Sequence, residues 1–195
     1  MMPRSGSPLT RGSCLRQNRR TDRKMKPTWL CLLIAASPGC RDASAPWDGS
    51  APIQTDAAAY GLEAGSAGYA ATIHFVFTNP RPTPVYVVNC SGNAPPALET
   101  FIDGTWRKAW SPIVPLCLSP PIVIAAGQAY QGTLQLFAGF PTNNVYPKFD
   151  TPQISGQYRL VWSGLLSSYD ADAHPFGEPL PLAQRISNSF RLAAP

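Results

Sequence analysis

The stretch Tyr69-Ala70-Ala71-Thr72-Ile73-His74-Phe75-Val76-Phe77 (69–77) decides how the rest of the chain reads. Tyr69, Ala71, Ile73, Phe75 and Phe77 fall on one face of an extended backbone. Ala70, Thr72, His74 and Val76 fall on the other. Alternation with period two, carried by aromatic and β-branched residues, predicts a strand with one buried face. A helix would scatter those five side chains around its axis.

Working outward, the same signal recurs between turn residues. Thr78 to Pro84 holds three prolines in seven residues, which ends the strand and marks a loop. Residues 84–90 (PVYVVNC) are apolar on both faces and predict a strand covered on both sides. Residues 97–110 (ALETFIDGTWRKAW) predict a hairpin about Asp103-Gly104, since a type I′ turn needs positive φ at both central residues. Residues 121–137 predict two strands about Ala126-Gly127, residues 157–162 another, and residues 187–194 a terminal one. No long segment has a helical apolar period, and 18 prolines after residue 40 oppose extensive helix. The expectation is an all-β domain, an antiparallel Ig-like β-sandwich of seven or eight strands, over residues 56–195. Gly156-x-Tyr158 has the look of a tyrosine corner, although Ile154 stands where an Asp is usual and Leu160 where a second Cys would follow.

Charge divides the chain unevenly. The net charge of +5 points to a nucleic-acid partner only if the bases lie on the folded part. Eight of the 16 basic residues precede residue 41, against Asp22 alone, so that segment carries +7 and the remainder −2. No basic cluster with interleaved aromatics remains to hold phosphates, and a nucleic-acid partner is not expected.

The basic segment runs into an apolar one, Trp29 to Ala36, eight residues long. That is far short of the roughly 20 residues of a membrane-spanning helix. A basic start, a short apolar run and small residues make a secretory leader over residues 1–39. Met25 precedes this pattern directly, so residues 1–24 read as lying upstream of the true start. The alternative is a long basic leader in which Arg19-Arg20 serves twin-arginine export.

The leader ends in Ser37-Pro38-Gly39-Cys40. This resembles the lipobox of bacterial lipoproteins, in which a small residue precedes a Cys that becomes acylated. Gly39 and Cys40 match; Ser37 and Pro38 depart from the usual pattern. The resemblance implies lipid attachment at Cys40, a membrane partner through that lipid, and a place in the bacterial cell envelope, with Arg41 leaning toward the outer membrane. A secretory signal cleaved nearby, with Cys40 a spare thiol, is the other reading. Residues 40–55 are small, polar and turn-rich and read as a flexible tether with a reach of about 20 Å.

The chain has five cysteines: Cys14, Cys31, Cys40, Cys90 and Cys117. Two lie in the leader. If Cys40 carries lipid, Cys90 and Cys117 are left as a pair, and an exported chain meets oxidising conditions, so a disulfide is expected.

Chemistry is sparse. None of G-x-S-x-G, H-E-x-x-H or the phosphate-binding loop is present. No cofactor and no enzymatic activity are expected. His74, in a strand among apolar neighbours, reads as a partly buried structural histidine without a carboxylate to orient it. Asp170, Asp172 and His174 alternate in a loop and are weak candidates for a divalent cation; a solvated acidic loop is the plainer reading. Trp106 and Trp110, four apart, share one face of a regular strand. With Arg107 and Lys108 they form a candidate surface for a protein or glycan partner, the alternative being that the tryptophans fill the core.

Finally, FVFTN (75–79), PVYVVNCSG (84–92), DGTWRKAW (103–110), IVIAAGQ (122–128) and SGQYRL (155–160) resemble in succession small secreted Ig-like domains of bacteria, including the BsuPI-like proteinase-inhibitor domain. The resemblance implies the fold and hints at inhibition. The reading is a non-catalytic, membrane-tethered binding or structural protein. The alternative is a proteinase inhibitor presenting the proline-rich segment 111–121.

Overall fold

The computed structural model describes residues 50–195 except 93, 115, 116, 118, 174 and 175. The leader, Cys40, most of the tether and His174 lie outside the described residues. Those described belong to one compact unit, Cys40–Pro195.

Twelve strands occur among the described residues, more than the seven or eight that alternation marks. They are β1 (Ile53–Thr55), β2 (Ala59–Gly61), β3 (Glu63–Ala64), β4 (Gly68–Thr78), β5 (Val85–Asn89), β6 (Ala97–Ile102), β7 (Thr105–Trp110), β8 (Ser119–Ile124), β9 (Ala129–Gly139), β10 (Gly156–Val161), β11 (Leu165–Leu166) and β12 (Phe190–Ala193). The extra ones, β1, β2, β3 and β11, are two or three residues long, too short to show a period. A single 3-10 turn, Leu182–Gln184, is the only helical element described. The architecture is all-β.

In the first sheet β4 is central. β9 pairs along one edge for eleven residues, from Gly68↔Gly139 to Thr78↔Ala129. β1 and β3 share the other edge. Ile73, Phe75 and Phe77 of β4 are buried, as their alternation requires. His74 points the other way and is exposed, so it is not the partly buried residue expected from its neighbours. Gly132 on β9 is where the Phe75 ring crosses the backbone; a Cβ there would sit 2.3 Å from the ring. Strand structure begins at Ile53, inside the segment read as tether, because Ile53 and Thr55 are buried against β4.

The second sheet has the order β2-β12-β10-β6-β7 and the third β11-β5-β8. All named strand pairs are antiparallel except β2 with β12. Asp103 and Gly104 have φ of 50° and 77° and close the β6–β7 hairpin with Ile102 facing Thr105. Gly127 also has positive φ, but β8 and β9 on either side of it do not pair with each other. β8 joins β5 and β9 joins β4, so the chain crosses there from one sheet to another. Buried Asn79 spans both crossings: its amide donates to the carbonyls of Thr83, Ile124 and Ala125 at 3.0–3.1 Å. Its Oδ1 accepts from the Arg81 N–H.

One core cluster draws buried residues from all three sheets, among them Ile73, Val85 and Leu98. Trp162, just beyond β10, meets Phe75 edge-on at 5.2 Å, Phe77 at 6.2 Å and Tyr130 at 5.3 Å. Tyr158 is fully buried, and its hydroxyl donates to the Ile154 carbonyl at 2.6 Å. Burial of an aromatic body with its polar tip satisfied is how tyrosine enters a core without stranding the hydroxyl. A disulfide joins Cys90 to Cys117. It ties the end of β5 to the segment between β7 and β8.

Candidate functional site

The predicted surface depends on the phase of β7. Its pairing with β6 runs in register from Ile102↔Thr105 to Glu99↔Lys108, then slips so that Leu98 faces Trp110. The extra residue is a bulge, and a bulge inverts the alternation beyond it. Trp106 pairs with Phe101 and lies on the outer face of the five-stranded sheet. Trp110 pairs with buried Leu98 and is 2% exposed. The two tryptophans therefore do not share a face. Trp110 is a core residue; its indole N–H donates to the Phe137 carbonyl at 2.9 Å. Arg107 sits opposite buried Thr100, on the other face from Trp106, with its own end exposed. Lys108 stays on the outer face, 3.8 Å from Asp150.

What the structure puts around Trp106 is a group the sequence reading did not assemble. Phe101 lies 5.2 Å away, centroid to centroid, and is 42% exposed. The Arg159 guanidinium stacks 4.4 Å from the Trp106 ring. Arg159 also donates from Nε and from one terminal nitrogen to Glu99 Oε2, at 2.8 and 2.6 Å. Arg159 faces Glu99 across β10 and β6, and Trp106 faces Phe101 across β6 and β7. The cross-strand register thus builds the platform. Period two could have placed Glu99 and Phe101 together, but the neighbour supplying Arg159 lies about 60 residues away. Chemically the platform offers two aromatic rings inclined at 54°, one face of Trp106 covered by the Arg159 guanidinium, with Lys108 and Glu99 beside them. Stacking on a ring and hydrogen bonding to hydroxyl or carboxylate groups are what it can do.

Other predicted positions serve local roles. Asp170 accepts from the Asp172 N–H at 3.0 Å, which closes a turn. Among the described residues no group of three or more His, Cys, Asp or Glu could hold a metal. His74 Nδ1 lies 3.0 Å from the Thr133 hydroxyl. Beside the disulfide an open apolar recess of about 350 Å³ is lined by Cys90, Pro112, Val114, Cys117, Trp162 and Gly164. Val114 of the segment 111–114 lines this recess, while Ile113, which is 69% exposed, lines a separate groove with Phe137 and Tyr146.

Three phenols are perturbed. Burial raises Tyr130 and Tyr158 above the ordinary tyrosine range, the latter opposed by Thr100 and Thr151. Tyr60 is raised further, by burial first and then by its hydrogen bond to Asp56. None of the three touches the platform. No protein-family model and no curated protein matches the chain.

Proposed function

We propose that the chain is an exported, non-catalytic binding protein of the bacterial cell envelope, held to a membrane by lipid at Cys40 and built as an Ig-like β-sandwich. Support for the sandwich comes from the contacts of Trp162 and Trp110 between sheets and from the Tyr158 hydroxyl held at Ile154. Support for export comes from the leader pattern and from the Cys90–Cys117 disulfide, which suits an oxidising compartment. The observation that carries the binding reading is the Phe101–Trp106–Arg159–Glu99 platform on an outer sheet face. Adjoining aromatic side chains rimmed by polar groups are the kind of surface that marks an interaction site, and this one suits a sugar ring. The partner class is an envelope glycan.

Titrating solubilised envelope polysaccharide against the protein while following tryptophan fluorescence tests this. Trp106→Ala should abolish the change and leave the fold intact. An unaltered response in Trp106→Ala and Phe101→Ala would remove the platform from the reading. The intact mass of protein extracted from membranes tests the anchor, through a start at Cys40 and an added acyl mass.

A second reading is supported by Ile113 and Val114. These apolar side chains project from a proline-rich segment stapled by Cys117, as a rigid inhibitory loop requires. Inhibition of a secreted protease that Ile113→Asp relieves would favour it; no inhibition across serine, cysteine and metalloprotease classes would exclude it.

A further inference from the structure

Among the described residues one long strand edge lacks the protection that the other edges carry. β7, at the end of the five-stranded sheet, bears Arg107, Lys108 and a bulge. β8, at the end of the third sheet, bears Pro120 and Pro121. The remaining edge strands are two or three residues long. Charges, prolines, bulges and shortness are the devices that keep edges from pairing. β9 has eleven residues, AYQGTLQLFAG, with no charge and no proline.

The hydrogen-bond parity of β9 shows which groups face outward. Asn79 N–H donates to Gln128 O, and Phe140 N–H to Ala67 O, each a directly opposed pair in the β4–β9 register. In an antiparallel ladder bonded pairs alternate with non-bonded ones. Even-numbered residues of β9 therefore bond to β4, and odd-numbered ones direct N–H and C=O away. Two bonds agree with this. Phe137 O accepts from Trp110, and Gly139 N–H donates to Pro147 O. Ala129, Gln131, Thr133 and Gln135 are left, and no described residue pairs with them on that side; Gln131, Thr133 and Gln135 are the central run.

We propose that this edge pairs with the same edge of a second copy, antiparallel, about a two-fold axis at Thr133. The occupant follows from the residues. A two-fold interface needs a self-complementary surface, so that each residue meets its counterpart by reversal. Gln131–Thr133–Gln135 reads the same in both directions. Thr133 then opposes Thr133 of the second copy, and each Gln131 opposes Gln135. The outward groups supply on the order of six backbone hydrogen bonds, and Thr–Thr is a favourable cross-strand pair. The end of the incoming strand reaches a groove of about 270 Å³ beside Gln135, lined also by Pro112, Ile113, Phe137 and Tyr146. None of the residues lining this groove is charged, and Tyr146 at its rim is 66% exposed. An uncharged strand meets no unpaired charge there.

The test is sedimentation velocity of the full chain and of variants at residue 133. The wild type should sediment as a dimer. Thr133→Pro removes an N–H that β4 does not use, so it should give a monomer with an unchanged far-ultraviolet spectrum. Thr133→Lys sets a charge against itself across the axis and should do the same, which decides the matter if the proline variant fails to fold. On a background in which Cys14, Cys31 and Cys40 are serines, Thr133→Cys should form an intermolecular disulfide under mild oxidation. Val123→Lys, on β8, should leave the dimer intact. A wild type still monomeric at about 0.5 mM, where a dimer of micromolar dissociation constant would be nearly fully formed, would overturn the proposal. So would a dimer that survives both Thr133→Pro and Thr133→Lys.

Discussion

Trp110 and Phe137 join two sheets by a single polar contact: the indole N–H of one meets the backbone carbonyl of the other at 2.9 Å. The carbonyl belongs to an outward-facing position of β9, so no strand satisfies it. Trp110 is thus both packing and cap. Trp110→Phe should cost about 1–2 kcal/mol, chiefly for the carbonyl left unpaired. Trp110→Ala should cost about 3–5 kcal/mol, since a cavity is added. Urea unfolding followed by circular dichroism reads both. Equal losses would mean that the ring contributes little beyond its hydrogen bond.

The Cys90–Cys117 bridge closes a loop with a sequence separation of 27. On the chain-entropy account its removal should cost about 3–4 kcal/mol. Cys90→Ser with Cys117→Ser should lower the unfolding free energy by that amount, seen as a lower urea midpoint at unchanged slope. A change in slope as well would place part of the effect in the unfolded ensemble.

Tyr158→Phe removes the hydroxyl that reaches Ile154 and should cost about 1 kcal/mol. The residues on either side of this corner need not move, so the spectrum of the folded state should be unchanged.

Alkaline pH gives a further readout. Tyr60, Tyr130 and Tyr158 bind their protons more tightly folded than unfolded. Their contribution is complete below the unfolded phenol value of about 10 and declines as pH rises above it. Stability should therefore fall above about pH 10, and Tyr158→Phe should flatten part of that decline. Ionisation of these phenols, seen at 295 nm, should coincide with loss of structure. Their titration ahead of unfolding would contradict the burial argument.

Local signals were legible in the sequence and distant ones were not. Ile73, Phe75 and Phe77 announced β4, and Asp103-Gly104 announced its hairpin, because period and turn chemistry act within a few residues. The pairing of β9 with β4, and the parallel pairing of β12 with β2, depend on partners far away in the chain. The bulge at Ala109–Trp110 carries no Gly or Pro to mark it, yet it sends Trp110 inward and leaves Trp106 outside. The platform escaped the sequence for the same reason: Glu99 and Phe101 are close in sequence to Trp106, while Arg159 is brought to them only by β10.

Asn79 gives the two crossings between sheets a common latch. Its side chain grips Thr83 on the way from β4 to β5 and Ile124 and Ala125 on the way from β8 to β9. Its backbone exchanges bonds with Gly127 and Gln128. Neither passage can slacken without releasing the other. Amide deuteration at Asn79, Arg81 and Gly127 should accordingly proceed at one shared rate, as for a clasp that opens all at once.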